Sequence, residues 1–70
     1  MFPEPEVSLS LRESQVLRLA AEGLSARESA DYLVLGVETV KSYRGMLILK
    51  FGANNMTHAV ARALRAGMIA

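Results

Sequence analysis

Seventy residues without cysteine, 51% of them hydrophobic, allow one small domain with one modest core. They exclude disulfides, thiol chemistry and thiolate metal sites. No apolar run approaches the ~20 residues of a membrane-spanning helix, and the N-terminus lacks the basic-then-apolar order of a secretory signal. No membrane partner is therefore expected, and the cytoplasm is the expected compartment. The formal net charge of +1 conceals a segregation. All seven acids (Glu4, Glu6, Glu13, Glu22, Glu28, Asp31 and Glu38) lie in residues 1–38, together with Arg12, Arg18 and Arg27. Residues 39–70 hold Lys41, Arg44, Lys50, Arg62 and Arg65 and no acid. Such a split suits a polyanionic partner for the basic half.

Residues 1–8, with Pro3, Pro5 and two glutamates, read as a flexible lead-in, and residues 9–70 as the domain. Ser10-Leu11-Arg12-Glu13 has the form of a capping box, a hydroxyl followed three residues later by a carboxylate. It opens a first helix with Val16, Leu17, Ala20 and, loosely, Leu24 at helical spacing, stopped by Gly23. Ser25-Ala26-Arg27-Glu28 repeats the box and starts a shorter second helix, with Ala30 and Leu33 inward until Gly36 breaks the pattern. A third helix spans about 37–51 with Val37, Val40, Leu47 and Phe51 as its core stripe; Glu38 in its first turn suits the helix dipole. Gly52 ends it and Asn54-Asn55 supply a turn and a cap. A fourth helix covers about 56–66, burying Ala59, Val60, Ala63 and Leu64 before Gly67. No period-2 alternation appears, so the fold class is all-α: a compact four-helix domain.

The second and third helices are joined only by Val34-Leu35-Gly36. So short a link makes the two helices cross steeply, as in a helix-turn-helix, whose second helix enters a major groove of double-stranded DNA with its N-terminal half leading. That half carries Thr39, Lys41, Ser42, Tyr43 and Arg44, groups suited to phosphate oxygens and base edges.

Leu9-Ser10-Leu11-Arg12-Glu13 with Val16-Leu17, Gly23-Leu24-Ser25 with Glu28 and Ala30, Thr39-Val40-Lys41, Lys50-Phe51-Gly52, and Asn55 ahead of Ala59-Val60 together resemble the LuxR-type DNA-binding domain, in order and spacing, from about residue 9 to residue 69. The resemblance implies a transcriptional regulator whose third helix is the recognition helix. Lys41, Ser42 and Gly45 match positions that often face bases, with Arg44 as a secondary reader. Thr39, Tyr43 and Lys50 match positions that often meet phosphates. The fourth helix resembles the one through which such domains pair, which makes Ala63, Leu64 and Gly67 the expected contacts of a homodimer on a two-fold site. Most members add a receiver or ligand-sensing domain; this chain resembles the free-standing, spore-germination-regulator-like form, or an excised C-terminal domain of a response regulator.

The chain also departs from that pattern. Ser29 stands where an apolar residue is usual, which forfeits a hydrophobic staple with Leu24, costs on the order of 1–2 kcal/mol, and leaves a hydroxyl to seek a carbonyl one turn back. Gly36 replaces the usual serine and is an acceptable cap. Tyr43 replaces a common histidine. Gly45 lies inside the recognition helix, where glycine costs roughly 1 kcal/mol against alanine. Met46, Ile48 and Leu49 are apolar where polar or basic residues are common, and point to a protein-contact patch, unless Phe2 of the lead-in covers them. They motivate the alternative function, a module or antagonist that pairs with another LuxR-type regulator. Arg62 and Arg65 read as a solvated face. One histidine, His58, and no paired carboxylates, nucleophilic set or phosphate-cradling glycine loop leave no metal site, no cofactor and no enzyme activity to expect.

Overall fold

A computed structural model describes residues 7–70. Their four helices are α1 (Leu11–Ala21), α2 (Ala26–Leu33), α3 (Val37–Lys50) and α4 (Met56–Arg65), with no strand among the described residues. The part of the expected lead-in at residues 1–6, and the covering role considered for Phe2, lie outside the described residues. The helix boundaries agree with those read from the sequence to within about a residue. Phe51 and Ala66 cap the ends of α3 and α4 instead of lying inside them.

Both capping boxes form in full. Ser10 Oγ accepts from Glu13 N–H at 3.1 Å while Glu13 Oε1 accepts from Ser10 N–H at 2.8 Å. The Ser25 and Glu28 pair repeats the arrangement at 3.1 and 2.9 Å. Asn55 caps α4 through its side-chain oxygen, which accepts from His58 N–H at 2.8 Å. Gly36 begins α3 with extended backbone and no side-chain cap.

All four helices end on one device. An N–H beyond the helix reaches back to a carbonyl five residues earlier: Leu24 to Leu19, Leu35 to Ala30, Ala53 to Ile48 and Met68 to Ala63. This closure needs a left-handed residue just before the donor. Gly23, Gly52 and Gly67 supply it at φ 91°, 60° and 72°, as does Val34 at φ 56°. The break after α2 is therefore made by Val34; Gly36, expected to make it, has an ordinary φ of −69°.

The core gathers Val16 and Leu17 of α1, Ala30 of α2, Val40 and Leu47 of α3, and Met56, Ala59 and Ala63 of α4, with Phe51 and Ile69 from the helix ends. α3 is the central element, packed on α1, α2 and α4. Three expectations change here. Leu64 is half exposed and Val60 only partly buried, so the inward face of α4 is narrower than its apolar content suggested. Met56 and Ile69 complete the core in their place. Ser29 is wholly buried, yet its Oγ has no hydrogen-bond partner among the described residues, so the expected bond to the carbonyl one turn back is not made.

Candidate nucleic-acid interface

α3 crosses the molecule with one face on the core and one in solvent. Successive residues turn by roughly 100°, so Val40, Leu47 and Phe51 point inward and Glu38, Lys41, Ser42, Gly45 and Leu49 share the outward face. Thr39 and Tyr43 lie along one flank of that face, Thr39 exposed and Tyr43 half-buried with its ring against the core. Lys41 Nζ stands 3.3 Å from Glu38 Oε2, with both side chains largely in solvent. Beyond them, Gly45 leaves the ridge low: a Cβ there would meet nothing within 4 Å among the described residues. Neither backbone nor packing requires a glycine at this position.

The structure thus groups Thr39, Lys41, Ser42, Tyr43 and Gly45 on or beside one exposed strip. It places other residues of the expected sets elsewhere. Arg44 lies on the side of α3 that turns toward α1 and α4, bordering a cleft of about 140 Å³ with Ala20, Met56, Thr57 and Val60. Its Nη1 is buried there without a partner among the described residues. Residue 44 is nearly in line with the inward Val40 and Phe51, away from the outward strip. Ala63 is fully buried in its own core, so it has no surface to offer a second protomer; Leu64 and Gly67 remain exposed. Ile48 packs partly against the core and drops out of the apolar patch, leaving Met46 at 44% and Leu49 at 72% exposure.

Lys50 has a task the sequence did not disclose. Its ammonium lies 2.8 Å from Glu13 Oε1 and 3.0 Å from the Ser8 carbonyl, tying the end of α3 to the start of α1 and to the segment before it. The Glu13 carboxylate is nearly buried and accepts from both Lys50 and Ser10 N–H. These donors, Lys50 foremost, hold its pKa below the ordinary value of 4.5 despite burial, which acts the other way. Two of the three Lys50 donors are thus engaged inside the domain. Glu13 was legible as a helix cap, but its long-range partner was not, since nothing local relates residues 37 positions apart. Glu28, whose capping bonds to Ser25 also lower its pKa, stays exposed and has no such second partner among the described residues.

No group of three or more potential metal-ligating side chains occurs among the described residues. No helix among them is long and apolar enough to cross a membrane.

A short α2–α3 connection, with α2 packed on α3 and the second helix facing solvent on one side, is the arrangement of a helix-turn-helix domain. The family model described as bacterial regulatory proteins, luxR family, matches residues 7–63, and the chain belongs to that family. It is 38% identical over 63 residues to the transcriptional activator protein BjaR1 of Bradyrhizobium diazoefficiens, covering 90% of this chain and 26% of that protein. It is 41% identical over 61 residues to the HTH-type transcriptional activator RamA of Corynebacterium glutamicum, covering 87% of this chain and 22% of that protein. The chain thus spans about a quarter of the length of such relatives. The solved structure of the transcription factor GerE has the same fold, with a TM-score of 0.83 over 89% of this chain and 92% of that one at 24% identity. A Vibrio cholera VqmA–ligand–DNA complex also matches at a TM-score of 0.83, with 30% identity over 96% of this chain and 29% of that one. The chain thus carries the helix-turn-helix domain of a family of bacterial transcriptional regulators.

Proposed function

We propose that this domain lays α3 in the major groove of double-stranded DNA, with Lys41 as its main base reader and Ser42 as a secondary one. Thr39 and the Tyr43 hydroxyl donate to phosphates on the flank. The observation that carries this reading is the outward strip from Glu38 to Gly45, polar, exposed and backed by the core at Val40 and Leu47. Gly45 admits close approach of the helix backbone to a base pair but contributes no contact of its own. A homodimer on a two-fold site, joined through the exposed end of α4 near Leu64 and Gly67, places two such strips one helical turn of DNA apart. The activity belongs in the cytoplasm, where the genome of a bacterium is found.

The test is binding of the purified chain to mixed genomic duplex fragments at several salt concentrations, with sequencing of the retained fraction. Affinity falls steeply with salt, since phosphate neutralisation releases counterions, and the retained fragments share a two-fold motif. Retention of no fragment by folded protein at low salt refutes the reading.

A second reading rests on Leu49 and Met46, apolar and exposed on the same helix. A regulator that pairs through this patch would engage the domain without DNA. Its test is whether replacing Leu49 by lysine, in a chain shown to be folded by circular dichroism, abolishes capture of a purified LuxR-type regulator in the absence of DNA.

A further inference from the structure

The outward face of α3 presents one pair of opposite charges at its leading end, and the spacing of that pair matches a feature of the major groove. Guanine offers two adjacent acceptors there, N7 and O6, and its partner cytosine offers the N4 donor beside them. O6 and N4 are hydrogen-bonded to each other and so lie about 2.9 Å apart. Lys41 Nζ and Glu38 Oε2 lie 3.3 Å apart, a donor beside an acceptor. Resting on the reading of α3 as the groove-entering helix, we propose that Glu38 and Lys41 act together as a reader of one G·C base pair, Lys41 donating to guanine N7 and O6 while Glu38 accepts from cytosine N4.

Three observations converge on this assignment. Both residues sit in the first turns of α3, the part that leads into a groove, and Glu38 is the only acid on the helix. Nothing on the ridge shields the pair, because Ser42 and Gly45 are short and a Cβ at residue 45 would still meet open space. The ion pair is exposed, with side chains at 60% and 83% accessibility. Such pairs are weak, so it opens readily to exchange its internal contact for a base pair.

The carboxylate also makes the choice selective. Beside a polyanion, a glutamate that finds no N–H donor is left facing phosphates without compensation, so base pairs lacking a donor at that place are penalised. An A·T pair does offer adenine N6 beside thymine O4, but gives the ammonium only one adjacent acceptor and sets the thymine methyl next to it. G·C alone satisfies two lysine donors and the carboxylate together. Glu38 is therefore a specificity-determining residue, and the Lys41–Glu38 contact in the free domain stands in for the one it makes on DNA.

The experiment selects bound duplexes from a pool with a randomised central segment, using the wild-type chain and the Glu38→Ala and Glu38→Gln variants, each first shown to be folded by its helical circular dichroism. The wild type enriches a motif with a fixed G·C pair in each half-site. Glu38→Ala lowers the preference for G·C over A·T at that pair about tenfold and leaves the remaining positions as they were. Glu38→Gln, which keeps an acceptor but adds donors, falls between. An enriched wild-type motif that has no fixed G·C pair, or that keeps it undiminished in Glu38→Ala, overturns the proposal while leaving DNA binding by α3 in place. Enrichment of no motif at all by the folded wild type removes both.

Discussion

Replacing Ser29 by alanine should stabilise the domain. The serine is completely buried in the second helix, and its hydroxyl has no hydrogen-bond partner among the described residues. An unsatisfied buried polar group costs about 1–3 kcal/mol. Alanine removes the oxygen and is the better helix former by about 0.5 kcal/mol. Against this stands the loss of one atom's packing, which for so small a group is well under the roughly 0.8 kcal/mol of a buried methylene. The net expectation is a gain of about 1–2 kcal/mol, near 4–8 °C in melting temperature for each kcal/mol in a domain of this size. Urea titration followed by circular dichroism measures it directly, with an unchanged m-value showing that the denatured state is unaffected. Ser29→Cys, similar in volume and only a weak donor, should fall between the two. A destabilised Ser29→Ala would refute the reasoning and mean that the hydroxyl is satisfied, by a buried water or by the Ser25 carbonyl.

Other consequences follow from single residues. Val34 is exposed and held at φ 56°, a region costly for a β-branched side chain. Val34→Gly should stabilise by about 1 kcal/mol, and an unaltered urea midpoint would contradict a strained turn. Gly45→Ala should also gain roughly 1 kcal/mol, since nothing opposes the added methyl; if α3 approaches base edges closely, the same variant binds DNA more weakly. The carboxylate of Glu13 has a lowered pKa when folded, so its contribution is complete above the ordinary value of 4.5 and is lost as pH falls through the depressed one. Lys50→Met should cost about 1–2 kcal/mol at neutral pH and shrink that acid-limb loss, measured by urea midpoints across the acid range. With two of its donors already held by Glu13 and Ser8, Lys50 should add little to the salt slope of DNA binding, and a slope reduced by about one in Lys50→Met would restore it to the phosphate-contacting set.

The helices were legible because their signals are local. Ser10, Ser25 and Asn55 announce caps within three residues of their partners, and Gly23, Gly52 and Gly67 mark their own stops. Val34 hid the fourth stop, since no sequence rule places a β-branched residue in the left-handed region. Much of the candidate strip was also legible, because Lys41, Ser42 and Gly45 follow from helical phase once the boundaries of α3 are known. Less legible was the inward limit of each helix. Arg44 and Ala63 looked available from residue type and family position, yet the phase of α3 takes the first toward α4 and the tight packing of α4 buries the second. The Lys50–Glu13 tie escaped because it depends on tertiary contact between α3 and α1.

The claim that α3 is the DNA-reading surface is tested most directly by amide chemical shifts of the isotopically labelled chain, titrated at low salt with a duplex from the retained genomic fraction or, failing one, a mixed-sequence duplex. The structure predicts the largest changes at Thr39 to Gly45, with the core positions of α1 little affected. Changes confined to α4, or none from folded protein, would contradict it.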